Sequence, residues 1–175
     1  MNSIDSSIVQ SWISKMTHQL RVQLGESLDA CLMIGIHSGG VRIAKILHQQ
    51  LELSQPLGEL NISFYRDDFS RIGLHPTVGA SKLPCAVDDQ TIILVDDVIY
   101  SGRTIRAAMN EIFDYGRPKR IILATLVERE GRELPIRADV IGQAMDLRPG
   151  DRVKLQADDL SLAVYEGEQD GGTSQ

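Results

Sequence analysis

The stretch ILVDDVIYSGRT, Ile93 to Thr104, decides how this chain reads. Branched apolar residues run into two adjacent acids, Asp96 and Asp97. A short turn with a glycine follows, and helical spacing starts at once. Ile105, Ala108, Met109, Ile112 and Phe113 stand at i, i+3, i+4, i+7 and i+8. The pattern predicts a buried strand over Thr91–Asp96, then a helix that Gly116 and Pro118 bring to a stop.

Two charges at the end of a buried strand need a reason. In an open parallel sheet, ligands bind beyond the carboxyl ends of the strands. Ionised carboxylates only accept hydrogen bonds, and the vicinal diol of a ribose offers donors. The amides of "YSGRT", Tyr100 to Thr104, open a helix whose first N–H groups lack internal partners and whose dipole favours an anion. Ser101 and Thr104 add hydroxyls, and Gly102 lets the backbone come close. One junction thus offers acceptors for a sugar diol and a nest for a phosphate, the two ends of a ribose 5-phosphate. The plainer alternative is a capped helix with two solvated aspartates.

Working outward, Ile8, Trp12, Met16, Leu20 and Leu24 recur every fourth residue, with Ile13 beside them, and predict an amphipathic helix stopped by Gly25. "CLMIGI", Cys31–Ile36, reads as a buried strand, Val41–Leu53 as a helix, and "LNISFY", Leu60–Tyr65, as an alternating strand. Arg66–Asp89 has no period and is punctuated by Gly73, Pro76, Gly79 and Pro84, so it reads as a long functional loop. "RIILATLV", Arg120–Val127, is another buried strand. Short strands are expected near Asp139–Gly142, Val153–Leu155 and Leu162–Tyr165, before a polar, frayed tail from about residue 167. Strands alternating with helices predict a single α/β domain with a largely parallel sheet.

The bulk numbers agree. The 175 residues suit one domain with a real core, and 42% hydrophobic with 24% charged residues is ordinary for a globular chain. The net charge of -6 argues against a chain built mainly to coat nucleic acid. No secretory signal and no membrane span are expected. Cys31 and Cys85, far apart, read as reduced thiols of a cytoplasmic protein.

The run of four apolar residues, two acids, two apolar residues and a Ser/Thr-Gly turn into a helix resembles the phosphoribosyl pyrophosphate signature of the type I phosphoribosyltransferases. With "YRDD" (Tyr65–Asp68), "YGRP" (Tyr115–Pro118) and above all "RELPIRAD" (Arg132–Asp139), the chain resembles the pyrimidine operon attenuator/uracil phosphoribosyltransferase family, PyrR, nearly throughout. The resemblance implies a type I phosphoribosyltransferase fold: a central, mostly parallel β-sheet flanked by helices, with a small hood at about 129–150 and a flexible lid at about 66–89. It implies conversion of uracil and phosphoribosyl pyrophosphate to UMP and pyrophosphate with Mg2+ held through the substrate. It also implies a homodimer or larger assembly and, in several members, binding of a pyrimidine leader RNA when UMP is bound.

Residue by residue, the resemblance puts Asp96 and Asp97 on the ribose hydroxyls, with Val98 beside them. Tyr100, Ser101, Gly102, Arg103 and Thr104 would hold the 5′-phosphate. The loop His37, Ser38, Gly39 and Gly40 would face pyrophosphate, with a non-proline cis peptide at His37–Ser38; a plain strand-to-helix turn is the alternative there. Tyr65, Arg66, Asp67 and Asp68 lead into the lid, from which Arg71 and Lys82 either reach pyrophosphate or stay solvated. Arg129 and Arg132 either help read uracil or pair with Glu128 and Glu133. His18 and Arg137 match RNA-facing positions, and a bland surface role is as good a reading for His18.

The chain also departs from the pattern. Ser38-Gly39-Gly40 stands where many members have Thr-Arg-Gly, with Arg42 further on. Glu130-Gly131 replaces Gly-His, and Gln143-Ala144 after Gly142 replaces Lys-Asn, removing charge that could face RNA phosphates. Purine enzymes often carry an aspartate three residues after the acidic pair. Here that residue is Tyr100, which predicts a pyrimidine preference. Two other readings follow from these departures: an RNA-binding attenuator with weak catalysis, and a phosphoribosyltransferase for a different base.

Overall fold

A computed structural model describes residues 2–62 and 80–167. The described elements are β1 (Asn2–Ile4), α1 (Ser6–Leu24), a 3-10 turn (Gly25–Ala30), β2 (Leu32–Ile36), α2 (Gly39–Leu51) and β3 (Gly58–Leu60). After them come β4 (Thr91–Ile99), α3 (Arg103–Tyr115), β5 (Arg120–Arg129), β6 (Val140–Met145), β7 (Arg152–Leu155) and β8 (Leu162–Tyr165).

Five strands form a parallel sheet in the order β3-β2-β4-β5-β6. Side chains alternate across a strand, so β4 feeds two cores. Ile93 and Val95 face α1 and α2, meeting Ile13, Met16, Ile43 and Leu47. Ile92 and Leu94 face α3, meeting Ile105, Ala108 and Ile112. Helices on both faces bury the sheet, and near-continuous apolar strands result. The predicted α/β layering is therefore the observed one.

Helix α1 starts at Asp5, whose Oδ1 accepts the Ser7 N–H at 2.8 Å, and ends at Gly25 with φ 50°. Its buried stripe runs through Val9, Ile13, Met16, Leu20 and Leu24, while Ile8 is 46% exposed. The expected stripe thus turns by one residue at its first step, because Val9 and Ile13 share the face that meets the sheet.

Three expectations are corrected. Of the strand expected over Leu60–Tyr65, Leu60 ends β3 (Gly58–Leu60), paired from Ile34↔Gly58 to Ile36↔Leu60; Asn61 and Ile62 follow outside any strand, and residues 63–65 lie outside the described residues. The stretch expected as a hood, 129–150, divides: Val140–Met145 is an edge strand of the main sheet, paired with β5. A separate antiparallel sheet, β1-β8-β7, joins the chain's first strand to its last two. Finally, Gly39 and Gly40 are not loop residues but the first turn of α2. No helix among the described residues is long and apolar enough to cross a membrane.

Candidate active site

The acidic pair sits where strand pairing becomes one-sided. The last β2–β4 pair is Gly35↔Val95, whereas β4–β5 pairing continues to Ile99↔Glu128. Strand β4 therefore runs three residues past the predicted end at Asp96, and one flank of Asp96–Ile99 opens into a cleft. Asp96 is 5% exposed and Asp97 is half-buried. The Asp97 N–H donates to Asp96 Oδ1 (2.9 Å) and the Val98 N–H to Asp97 Oδ1 (3.0 Å). These local bonds hold both carboxylates against their own backbone.

The first turn of α2 fills the open flank. A Cβ on Gly39 would lie 2.1 Å from Asp97 Oδ2, and one on Gly40 would lie 2.5 Å from the Val95 carbonyl oxygen. A side chain at Gly40 would run into the β4 backbone, and one at Gly39 would displace the Asp97 carboxylate. The Asp97 carboxylate thus lies at a helix N-terminus, where the helix dipole favours negative charge. The His37–Ser38 peptide just before this helix is cis, as the resemblance implies. His37 is tied down by Glu59, its Nε2 standing 2.7 Å from Glu59 Oε2, and Lys45 approaches the other Glu59 oxygen at 4.0 Å.

The turn after β4 has the predicted form. Gly102 has φ 92° and immediately precedes α3, a backbone conformation that costs glycine little. The Arg103 N–H donates to Ser101 Oγ at 3.2 Å. The "RELPIRAD" segment clasps this turn: the Glu133 and Leu134 N–H groups both donate to the Ser101 carbonyl, at 3.0 and 3.1 Å. Leu134 and Ile136 stand against Gly102, 3.4 and 3.5 Å from where its Cβ would be.

The acidic pair, the turn into α2 and the Thr104 end of the turn after β4 face one cleft of about 1070 Å3. Its floor is Ile36–Gly39, Asp96–Val98 and Thr104. Its far wall is Gly150, Arg152–Lys154 and Tyr165–Gly167, from β7, β8 and their flanking turns. That wall was missed in the sequence. The short strands were expected, but their spacing carries no sign that they fold back over the first strand. The one available signal was the alternation Arg152-Val153-Lys154, which presents two cations on one side of a strand.

The remaining expected site residues sort as follows. Tyr65, Arg66, Asp67, Asp68 and Arg71 lie outside the described residues. Lys82 is exposed, and its backbone pairs with Glu59 through bonds of 2.7 and 2.8 Å. Arg132 is exposed and outside the cleft lining. Arg129 is 8% exposed; its Nη1 donates to the Asp151 carbonyl at 2.6 Å and its guanidinium lies 4.0 Å from the Tyr100 ring centre. The expected pairings are corrected too: Glu133 pairs with Arg103 at 2.8 Å, and Glu128 lies 4.0 Å from Arg137. Arg42 turns to the Gln156 and Ala157 carbonyls. His18 and Arg137 are exposed.

Among the described residues, no group of three or more His, Cys, Asp or Glu side chains is gathered for a metal. Two carboxylates beside an open cleft instead suit magnesium, which keeps its waters and takes one or two carboxylates together with substrate phosphates.

Comparison with known proteins agrees with this geometry. Residues 11–149 match the phosphoribosyl transferase domain family. A relative named bifunctional protein PyrR, from Nitrosococcus oceani, is 63% identical over 129 residues, covering 73% of this chain and 73% of its own length. Another of that name, from Pseudomonas paraeruginosa, is 51% identical over 144 residues, covering 82% of this chain and 85% of its own. Among solved structures, a hypoxanthine-guanine phosphoribosyltransferase from Bacillus anthracis has a TM-score of 0.67 at 16% identity, covering 83% of this chain and 84% of that one. A purine phosphoribosyltransferase from Pyrococcus horikoshii has a TM-score of 0.61 at 20% identity, covering 81% and 85%. At such identities the likeness concerns the fold.

Proposed function

The chain belongs to the PyrR family of phosphoribosyltransferases, and from that premise we propose that it makes UMP and pyrophosphate from uracil and phosphoribosyl pyrophosphate. The observation that carries the reading is the shared cleft. Asp96 and Asp97, the Thr104 end of the phosphate turn, and the Arg152–Lys154 wall all line it.

The roles follow from charge. Positive charge grows on the ribose as pyrophosphate leaves the anomeric carbon, and carboxylates fixed beside the ring favour it. The α3 amides and Thr104 hold the 5′-phosphate. Magnesium would be held through the donor's pyrophosphate beside Asp96 and Asp97, and would supply charge neutralisation to the leaving group. Uracil enters between the sugar and the β7 wall. Tyr100 faces Arg129, so no carboxylate stands there to serve as a base for a purine, which supports a pyrimidine substrate.

A second role, UMP-dependent binding of a pyrimidine leader RNA, is favoured by the exposure of His18 and Arg137. The uncharged Gln143-Ala144 and acidic Glu130 weaken that face, so catalysis is the primary reading. The test is nucleotide formation with uracil against hypoxanthine, adenine and orotate, with and without Mg2+. Metal-dependent UMP formation with uracil as the best base is expected; preference for a purine or orotate overturns the substrate. A gel-shift with leader RNA, with and without UMP, decides the second role.

A further inference from the structure

Strand β7 forms the cleft wall opposite the acidic pair, and arginines from the main layer hold it at both ends. Just before it, the Asp151 carbonyl accepts from Arg129 Nη1 at 2.6 Å. Just after it, the Gln156 carbonyl accepts from Arg42 Nη1 at 2.5 Å and the Ala157 carbonyl from Arg42 Nη2 at 2.8 Å. Between these anchors lie four residues, of which Arg152, Val153 and Lys154 line the cleft.

Both anchors start from elements that touch the acidic pair. Arg42 is on α2, whose Gly39 abuts Asp97. Arg129 ends β5, which pairs with β4 through Asp96↔Thr125. Arg129 is also costly. It is 8% exposed, its Nε is buried without a hydrogen-bond partner among the described residues, and there its charge is answered by a neutral carbonyl and the face of Tyr100. Gly131 makes room for that stack, since a Cβ there would lie 2.0 Å from Tyr100 Cε2. Tyr100 in turn leads into the phosphate turn. Packing alone would be served by an apolar side chain at 129.

We propose that Arg42 and Arg129 are positioning residues that fix β7 at the distance from the acidic pair needed to recognise the base. The proposal rests on the phosphoribosyltransferase reading and adds a device for base recognition that acts without touching the base. It separates the two halves of the ligand. The sugar and phosphate are held by β4 and the turns after β2 and β4, while the base depends on a wall set by two remote guanidinium groups.

Calorimetry with ribose 5-phosphate and with UMP reads the two halves apart. In Arg42→Gln and in Arg129→Gln, ribose 5-phosphate should bind within about twofold of the unaltered protein, and UMP about tenfold or more weaker. Arg129→Lys, which keeps a donor for Asp151, should recover part of the loss. Equal weakening of both ligands, or unchanged UMP binding, overturns the proposal. If Arg129→Gln fails to fold, Arg42→Gln carries the test alone, because Arg42 is half-buried at the surface. If the unaltered protein prefers GMP or AMP to UMP, the uracil reading falls, and the same ratio is taken with the preferred nucleotide. If no nucleotide binds better than ribose 5-phosphate, the proposal falls, since there is no base recognition for the arginines to serve.

Discussion

Gly39 and Asp97 are in direct contact: a Cβ on the glycine would fall 2.1 Å from Asp97 Oδ2. The contact ties the start of α2 to the carboxylate proposed to face the ribose. In an ordinary helix, Gly→Ala stabilises by about 0.5–1 kcal/mol. Gly39→Ala should behave differently, because the new methyl group must push Asp97 or α2 aside. A misplacement on the order of 1 Å costs about 100-fold in rate, so kcat/KM for nucleotide formation should fall by about that factor. A fall in activity much larger than the change in melting temperature is the expected signature; an active, stabilised variant contradicts the contact.

Asp97→Ala removes an acceptor that the fold barely needs, since the half-buried Asp97 carboxylate accepts only the adjacent Val98 N–H among the described residues. Turnover should drop by about 100-fold or more, the scale of one lost transition-state contact, with a melting temperature within a few degrees. Steady-state rates and a thermal melt on the same preparation check both halves.

Gly131→Ala tests the Tyr100 stack. The residue has φ 118° and no room for a Cβ beside the tyrosine ring. A side chain there meets both backbone strain and a clash, together about 1–3 kcal/mol. A urea unfolding series should show that loss, and Tyr100→Ala in the same background should relieve part of it.

The two cysteines should differ in reactivity. Cys31 is 1% exposed, burial pushes its thiol up from the usual range, and its Sγ donates to the Ser27 carbonyl at 3.3 Å. Cys85 is half-exposed. A neutral buried thiol is a poor nucleophile, so iodoacetamide in native buffer should modify Cys85 and leave Cys31 intact by peptide mass mapping. Prompt labelling of Cys31 contradicts its burial.

Acid should loosen the small sheet's turn. The Ser161 hydroxyl and N–H both donate to Asp159 Oδ1, at 2.7 and 2.9 Å, and hold that carboxyl below its ordinary value. A depressed carboxyl contributes stability that is present above its unfolded value and lost as pH falls through its folded value. The melting-temperature gap between the unaltered chain and Asp159→Ala should therefore be constant above about pH 5 and close as pH falls below about 4. A gap independent of pH contradicts the assignment.

How far the sequence carries can be read from particular residues. The β4–turn–α3 unit was legible because its signals are local: apolar run, acidic pair, glycine turn, 3.6-residue period. The cis peptide at His37–Ser38 came through the family resemblance, not from the residues. The β7–β8 wall was not legible, since its pairing with Asn2–Ile4 spans almost the whole chain and leaves no local trace. The contacts of Arg129 were not legible for a related reason. An arginine beside a glutamate offered an ion pair as one alternative, and only the folded chain places Asp151 and Tyr100 within its reach.

The most direct test is a crystal structure of the protein with UMP. The account predicts ribose hydroxyls on Asp96 and Asp97, the 5′-phosphate in the turn from Ser101 to Thr104, and uracil against Arg152–Lys154. A nucleotide bound elsewhere, or one whose phosphate lies on the β7 wall with its base at the turn, contradicts it.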